Sequence, residues 1–530
     1  MDQNPSRRAF LIAAAVAGAG GLMSPASAGA STTTRGSVQA APAGAGRIAP
    51  DPFTLGIASG DPAADGFVLW TRLAPDPLAP DGHGGMPARD AEVGWQVATD
   101  ERFRQVVRTG TATARPGSAH AVHVELQGLE PGREYFYRFR AGGHLSPAGR
   151  TRTAPAPGTT PASFTFAAVS CAQYEHGYYT AYRRMAEQHP DLVVHLGDYI
   201  YEYSGGVYTA AQGNVREHVG GKLQTLADYR TRHAQYKTDP DLQRAHLNSP
   251  WLVIFDDHEV ENNWAGDNPG TLVPGFAARK AAGFQAYYEH MPLRRSAVAR
   301  GHGIRINRRV SWGSLATFHL LDSRQFRDEQ PCDDGMRSGC DERLGQERVM
   351  LGADQMKWLA EGLSSAPGAW NLIAQQVIVG QRDYHLGPGR ELNVDAWDGY
   401  PAERDRLLAT LASSPAGDSI VLTGDAHVAS ASDLPADFDD PDSARVGVEL
   451  VATSISSDGD GYHDPARDAA LVAENPHLKF VNERRGYIMC DATPDELKAD
   501  FRTLDYISRK GAPARTAATF TIPAGERTLT

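Results

Sequence analysis

The chain has 530 residues, more than one compact domain usually holds, with 41% apolar and 22% charged residues, the balance of a folded protein. Its formal net charge is -12 and no basic tract stands out, which argues against nucleic acid or an anionic membrane as a partner held by bulk electrostatics. An anionic substrate would need locally concentrated positive charge, such as metal ions.

In chain order, SRRAFL at Ser6–Leu11 precedes the apolar run IAAAVAGAGGLM and then SPASAGA. Paired arginines, a short apolar stretch and small residues read as a twin-arginine signal peptide over residues 1–30, cleaved near Ala28. The apolar run is too short and Gly-rich to span a bilayer well, and no later segment has the roughly 18–20 apolar residues a transmembrane helix needs. The expectation is a protein exported by the twin-arginine machinery, periplasmic or secreted. That route carries folded proteins, often with a cofactor already inserted.

Residues 31–50 are small and polar, with little to bury, and read as a flexible linker. From 51 to 153, GFVLWTRL, AEVGWQVAT, AHAVHVELQGL and REYFYRFRA alternate apolar and polar residues between Gly, Pro and Asp turns. This spacing predicts a small β-sandwich, and GLEPGREYFYRFRA resembles part of a fibronectin-type sandwich. After the Pro-rich APAPGTTPA the pattern changes. FTFAAVSC, DLVVHLGD, WLVIFDD, LATFHLLDS, WNLIAQQVIV, SIVLTGD and GVELVATSIS are apolar on both faces, with helical stretches such as YYTAYRRMAEQH and YPAERDRLLATLASS between some of them. That predicts a layered α/β domain over residues 160–525. Cys332 and Cys340 flank the polar DDGMRSG and read as a local disulfide; Cys490, in GYIMCDAT, reads as a buried thiol.

Four of the apolar runs end in residue types that bind metals: Cys171, Asp198, the group Asp256-Asp257-His258-Glu259, and Asp425 with His427. Ligands of α/β sheets bind beyond the carboxyl ends of strands, so together these ends predict a polynuclear metal site. Asp198 and Tyr201 stand in the register D-x-x-Y, two hard oxygen donors suited to a trivalent ion. His195 reads as a packed core histidine, and ISSDGDGYHD at 455–464 as an acidic surface loop.

The order of these motifs resembles the calcineurin-like metallophosphatases, and more closely the PhoD-type alkaline phosphatases and phosphodiesterases. SCAQ, LGDYIYEY, FDDHEVENNWAGD, LLDSRQFR, TGDAH, RRGYIMCD and the N-terminal PFTLGIASGDPAADGFVLWTRLAP carry the resemblance. It implies a four-layered α/β/β/α domain behind the sandwich, an exported enzyme, and iron with calcium. On that pattern Cys171, Tyr201 and His427 with a bridging Asp198 would hold Fe(III). Asp198, Asp257, Asp425 and Asn263 would hold Ca(II), with Asn262 competing for the Asn263 role. His258 would protonate the leaving group or steady developing charge, and Glu259 would orient its imidazole. Arg324 would either grip phosphate oxygens or pair with Asp322 or Asp328. The implied activity is hydrolysis of organic phosphate mono- and diesters by a metal-bound hydroxide. Phospholipid headgroup diesters are an alternative substrate; a non-catalytic exported metal- or glycan-binding protein is an alternative of another class.

Overall fold

A computed structural model describes residues 48, 50–270, 275–365, 368–414, 417–440 and 442–530. The expected signal peptide and nearly all of the linker lie outside the described residues.

Two sheets face one another. The first has nine strands in the order Ala514–Pro523, Glu496–Leu504, Gly486–Ala492, Phe164–Val169, Leu192–His195, Trp251–Val253, Ile57–Ala63, Gly66–Arg72 and Ala121–Glu125. The second has seven: Arg308–Trp312, Ala316–Leu320, Trp370–Gln375, Asp418–Thr423, Arg445–Val451, Ala429–Pro435 and Leu478–Asn482. In each the central strands are parallel and the edges antiparallel. Parallel strands must be buried on both faces, and here they are. Between the sheets, Phe164 stacks on Trp312 at 4.3 Å and Phe166 meets Phe318 edge-on at 5.5 Å. Each such ring contributes roughly 1.5–3 kcal/mol by leaving water. Helices Thr180–Ala186, Leu226–Lys237, Pro240–Asn248 and Phe276–His290 pack with the nine-stranded sheet. Ala353–Ser365 and Pro401–Ser413 place Leu359, Leu363, Leu407, Leu408 and Leu411 on the second sheet. These are the four α/β/β/α layers.

The N-terminal region packs two sheets over Phe67, Leu69, Val93, Val97, Tyr135 and Phe139. One is built from Val106–Ala114, Ala91–Ala98, Glu134–Ala141, His144–Leu145 and Gly149–Arg152. The other is Ile57–Ala63, Gly66–Arg72 and Ala121–Glu125, and it runs on into the nine-stranded sheet through the pairing of Gly60 with Trp251. A Cβ at Gly60 would lie 2.6 Å from the Pro292 carbonyl and 2.7 Å from that of Trp251, so only glycine permits this junction. Composition cannot reveal a strand shared between two regions.

Cys332 and Cys340 form the expected disulfide, and Cys490 is a buried free thiol. One sequence expectation needs correction: RRSAVARGHGIRINRR at 294–309 is a basic tract. Arg308 pairs with Asp61 and Arg309 lies over the Trp358 ring, so part of its charge holds the fold.

Candidate active site

The carboxyl ends of both sheets meet at one point. Ser170, beyond Phe164–Val169, bridges in parallel to Ser454, beyond Arg445–Val451. Donor atoms of Cys171, Asp198 and His427 come within 4.8 Å of one another there, as do those of Asp198, Asp257 and His258, and of Asp256, Asp257 and Asp425. Cys171, Asp198, Asn263, Asp425 and His427 all have left-handed backbones, with φ between 51° and 59°. Such strain in non-glycine residues persists only where the surroundings hold it. Gly197 makes the approach of two strand ends possible: a Cβ there would lie 2.4 Å from the Asp256 Cβ.

On one side, Tyr201 donates its hydroxyl proton to Asp198 Oδ2 at 3.0 Å and accepts from Ser457 Oγ at 2.7 Å. His427 Nε2 lies 3.1 Å from the same phenol oxygen. Its Nδ1 donates to Asp458 Oδ2 at 2.7 Å, which leaves the Nε2 lone pair aimed inward. Asp458 sits well below the usual carboxylate range: burial would raise it, but the His427 imidazole outweighs burial.

On the other side lie Asp256, Asp257, Asp425 and Asn263. Asn263 donates its backbone N–H to Asp257 Oδ2 at 2.7 Å and its side-chain amide to Asp334 Oδ2 at 2.6 Å. Asn262 instead accepts from the Tyr203 hydroxyl at 2.9 Å. Arg324 is completely buried beneath the carboxylates. Its Nε donates to Asp256 Oδ1 at 2.5 Å and its Nη1 to Asp395 at 3.2 Å; Nη2 lies 3.4 Å from Asp257 and 3.5 Å from Asp425. Arg324 therefore neither reaches the cleft to grip phosphate nor pairs its guanidinium with Asp322 or Asp328. It steadies the acidic floor.

His258 stacks on the Tyr201 ring at 4.1 Å, and its Nδ1 lies 2.8 Å from Glu202 Oε2. Glu202, not Glu259, orients this imidazole. Glu259 accepts from the backbone N–H groups of Asp198, Tyr199 and Asp256 at 3.1, 2.6 and 2.9 Å, tying two strand ends together. Sequence reasoning missed Glu202 although it lies inside LGDYIYEY, and it read Asp458 as loop surface. The available signal was an acid placed four residues after Asp198, and an acidic loop following a buried strand.

Charge is crowded here. Burial, then the neighbouring carboxylates, push Asp198 and Asp425 well above the usual carboxylate range, and Asp256 to about 6. Burial and then Asp198 raise the Cys171 thiol and the Tyr201 phenol. His258 is held well above its ordinary value, since Asp257, Asp198 and Glu202 overcome burial. Asp256 Oδ2 is buried with no hydrogen-bond partner, and Asp257 Oδ1 has only the Arg324 guanidinium beside it, at 3.4 Å. Buried carboxylates left so are costly unless a cation joins them, so the donor set fits bound cations. The open cleft above, about 320 Å³, is lined by Asp198, Asp257, Asp425, His258 and His427 with Tyr203 and Tyr208 at its wall.

The PhoD-like phosphatase family matches residues 166–501, and the N-terminal domain of PhoD-like phosphatases matches residues 38–155. Alkaline phosphatase D of Bacillus subtilis (strain 168) is 47% identical over 471 residues, 88% of this chain and 80% of that protein. A solved structure of PhoD, also 47% identical, superimposes with a TM-score of 0.89 over 92% of this chain and 93% of that one. The protein is a phosphoric ester hydrolase, which sets aside the non-catalytic alternative. It belongs to the PhoD-like phosphatase family.

Proposed function

We propose that the protein is an exported, metal-dependent alkaline phosphatase that hydrolyses phosphate mono- and diesters in the cleft above Asp198. The observation that carries this reading is the convergence of Cys171, Asp198, Asp257, Asp425 and His427 from separate strand ends, with Asp256 Oδ2 buried and left unpartnered among them. Cys171, Tyr201 and His427 with Asp198 suit Fe(III); Asp198, Asp257, Asp425 and Asn263 offer oxygen donors suited to Ca(II). When bound, such ions neutralise phosphate charge and activate water. The remaining work belongs to side chains. His258, kept protonated by Asp257, Asp198 and Glu202, faces the cleft and gives its proton to the leaving alkoxide oxygen from Nε2. Tyr203 and Tyr208 form an apolar wall for the alcohol portion, and Asp458 and Ser457 keep His427 and Tyr201 in place.

Phospholipid headgroup diesters would be a narrower use of the same site. Among the described residues no helix is long and apolar enough to cross a membrane, and the Arg7–Arg8 pair supports export by the twin-arginine route. The test is elemental analysis of the purified protein with its visible spectrum, alongside a panel of monoesters and diesters. Iron and calcium with a tyrosinate-to-iron absorption band are expected. A colourless, iron-free protein with full activity would overturn the assignment.

A further inference from the structure

The Cys332–Cys340 disulfide closes a loop that bends back onto the active site. Cys332, Asp333 and Asp334 have consecutive left-handed backbones, with φ of 54°, 60° and 67°. Arg337 holds this turn by donating to the carbonyls of Cys332 at 2.6 Å and Asp333 at 2.9 Å. Met336–Arg337 then pairs with Leu392–Asn393, which anchors the loop to the chain leading into Asp395. Asp395 is the buried acid that pairs with Arg324 under the carboxylate floor.

Two contacts run from this assembly to Asn263. Asp334 Oδ2 accepts from the Asn263 side-chain amide at 2.6 Å. Gln330, just before the loop, donates from Nε2 to the Asn263 carbonyl at 2.8 Å and to Asp395 Oδ1 at 2.7 Å. A carboxylate only accepts, so the Asp334 contact fixes which end of the amide is nitrogen. The amide oxygen is left for the cleft that Asn263 lines. Without these contacts a half-exposed asparagine at φ 51° would be free to change rotamer.

We infer that the disulfide-closed loop 332–340 is a positioning device for Asn263, acting through Asp334, and that it sets the affinity of the oxygen-donor side of the site for a hard divalent cation. This rests on the reading of Asn263 as a donor on that side. Asp334 touches no substrate; it is a positioning residue.

The test uses the full-length purified protein with its iron retained and calcium removed by a chelator. Calcium alone is titrated by calorimetry, and the visible band and melting temperature are recorded for every variant. Asp334→Gly suits the left-handed backbone while removing the carboxylate; Asp334→Asn keeps one acceptor. Calcium affinity should fall roughly tenfold or more in Asp334→Gly and by less in Asp334→Asn, with iron content and visible band unchanged. Cys332→Ser/Cys340→Ser should weaken calcium in the same direction; if that pair fails to fold, the two Asp334 variants decide. Wild-type calcium affinity in Asp334→Gly, beside a large loss in Asn263→Ala, overturns the loop's role alone. Unchanged affinity in Asn263→Ala overturns the donor assignment and this inference with it.

Discussion

Beyond the ends of Leu192–His195 and Trp251–Val253, Asp198, Asp256 and Asp257 are buried together, the last two against the Arg324 guanidinium, with Asp256 Oδ2 left without a partner. Between the same sheet and its helices, Lys237, His195, His233, His246 and His290 are buried, and among the described residues no carboxylate pairs with them. There Lys237 lies 4.3 Å from the Trp70 ring centroid, His246 stacks on Trp251 at 4.0 Å, and His233 stacks on His290 at 4.9 Å. Burial lowers all five, His195 to about 3 and Lys237 to about 7. The histidines thus shed their charge and become flat packing groups among tryptophans and tyrosines. The acidic group cannot relax so cheaply: His258 and Arg324 stay charged and hold Asp257 ionised against burial. The basic cluster discharges; in the acidic one Asp198 and Asp425 are pushed towards the neutral form while Asp257, His258 and Arg324 stay charged.

The largest expected effect breaks the acidic side. Asp425→Asn should bring hydrolysis of a chromogenic phosphate ester to background while raising the melting temperature of the cation-free protein, because a half-buried acid crowded by Asp256, Asp395 and Asp257 has been removed. A variant that is both active and unchanged in stability would contradict the contrast. A smaller effect separates the two glutamates. Glu202→Gln should lower activity about 10–100-fold and move the alkaline limb of the pH–rate profile to lower pH, since His258, the proton donor, loses one of the acids that keep it charged. Metal content should be retained. Glu259→Gln should act mainly on melting temperature, through its three backbone contacts.

The smallest effect on activity belongs to the basic side. Lys237 titrates at about 7 in the fold against an ordinary 10.5. Between those values the unfolded chain carries the proton and the native chain does not, so stability should rise with pH from about 7 towards 10. Below about 7 both states are protonated and the full burial penalty applies. Lys237→Met should remove that slope and stabilise the protein by roughly 1–4 kcal/mol at or below pH 7, with activity unchanged, as denaturant melts across pH would show.

The sequence makes one of these clusters visible and hides the other. Strand ends carrying Cys171, Asp198, Asp257, Asp425 and His427 stand out because apolar runs stop abruptly at residue types that apolar runs avoid. The layered α/β body is legible for the same reason, through alternation of apolar strands and helices. Glu202, Asp458 and Asp334 are not legible, because each acts on a residue 56, 31 or 71 positions away and nothing local marks the partner. His195 reads as a packed core histidine, but Lys237 and His233 read as ordinary polar helix residues, since LADYRTRHAQYK has no clean apolar stripe. Helix Phe276–His290 and the antiparallel strands Glu496–Leu504 and Ala514–Pro523 also escape, because mixed polar patterns there depend on what lies across from them.

The junction of Gly60 with Trp251 bears on how such an enzyme can be rearranged. Because Ile57–Ala63, Gly66–Arg72 and Ala121–Glu125 complete the sheet that carries Asp198 and Asp257, the N-terminal region is no cassette that recombination can add or drop. Cutting the chain near Pro155 would leave Trp251–Val253 as a naked edge with apolar side chains, a template for aggregation in place of a smaller hydrolase. Any shortening of this enzyme has to begin elsewhere than at its amino-terminal third.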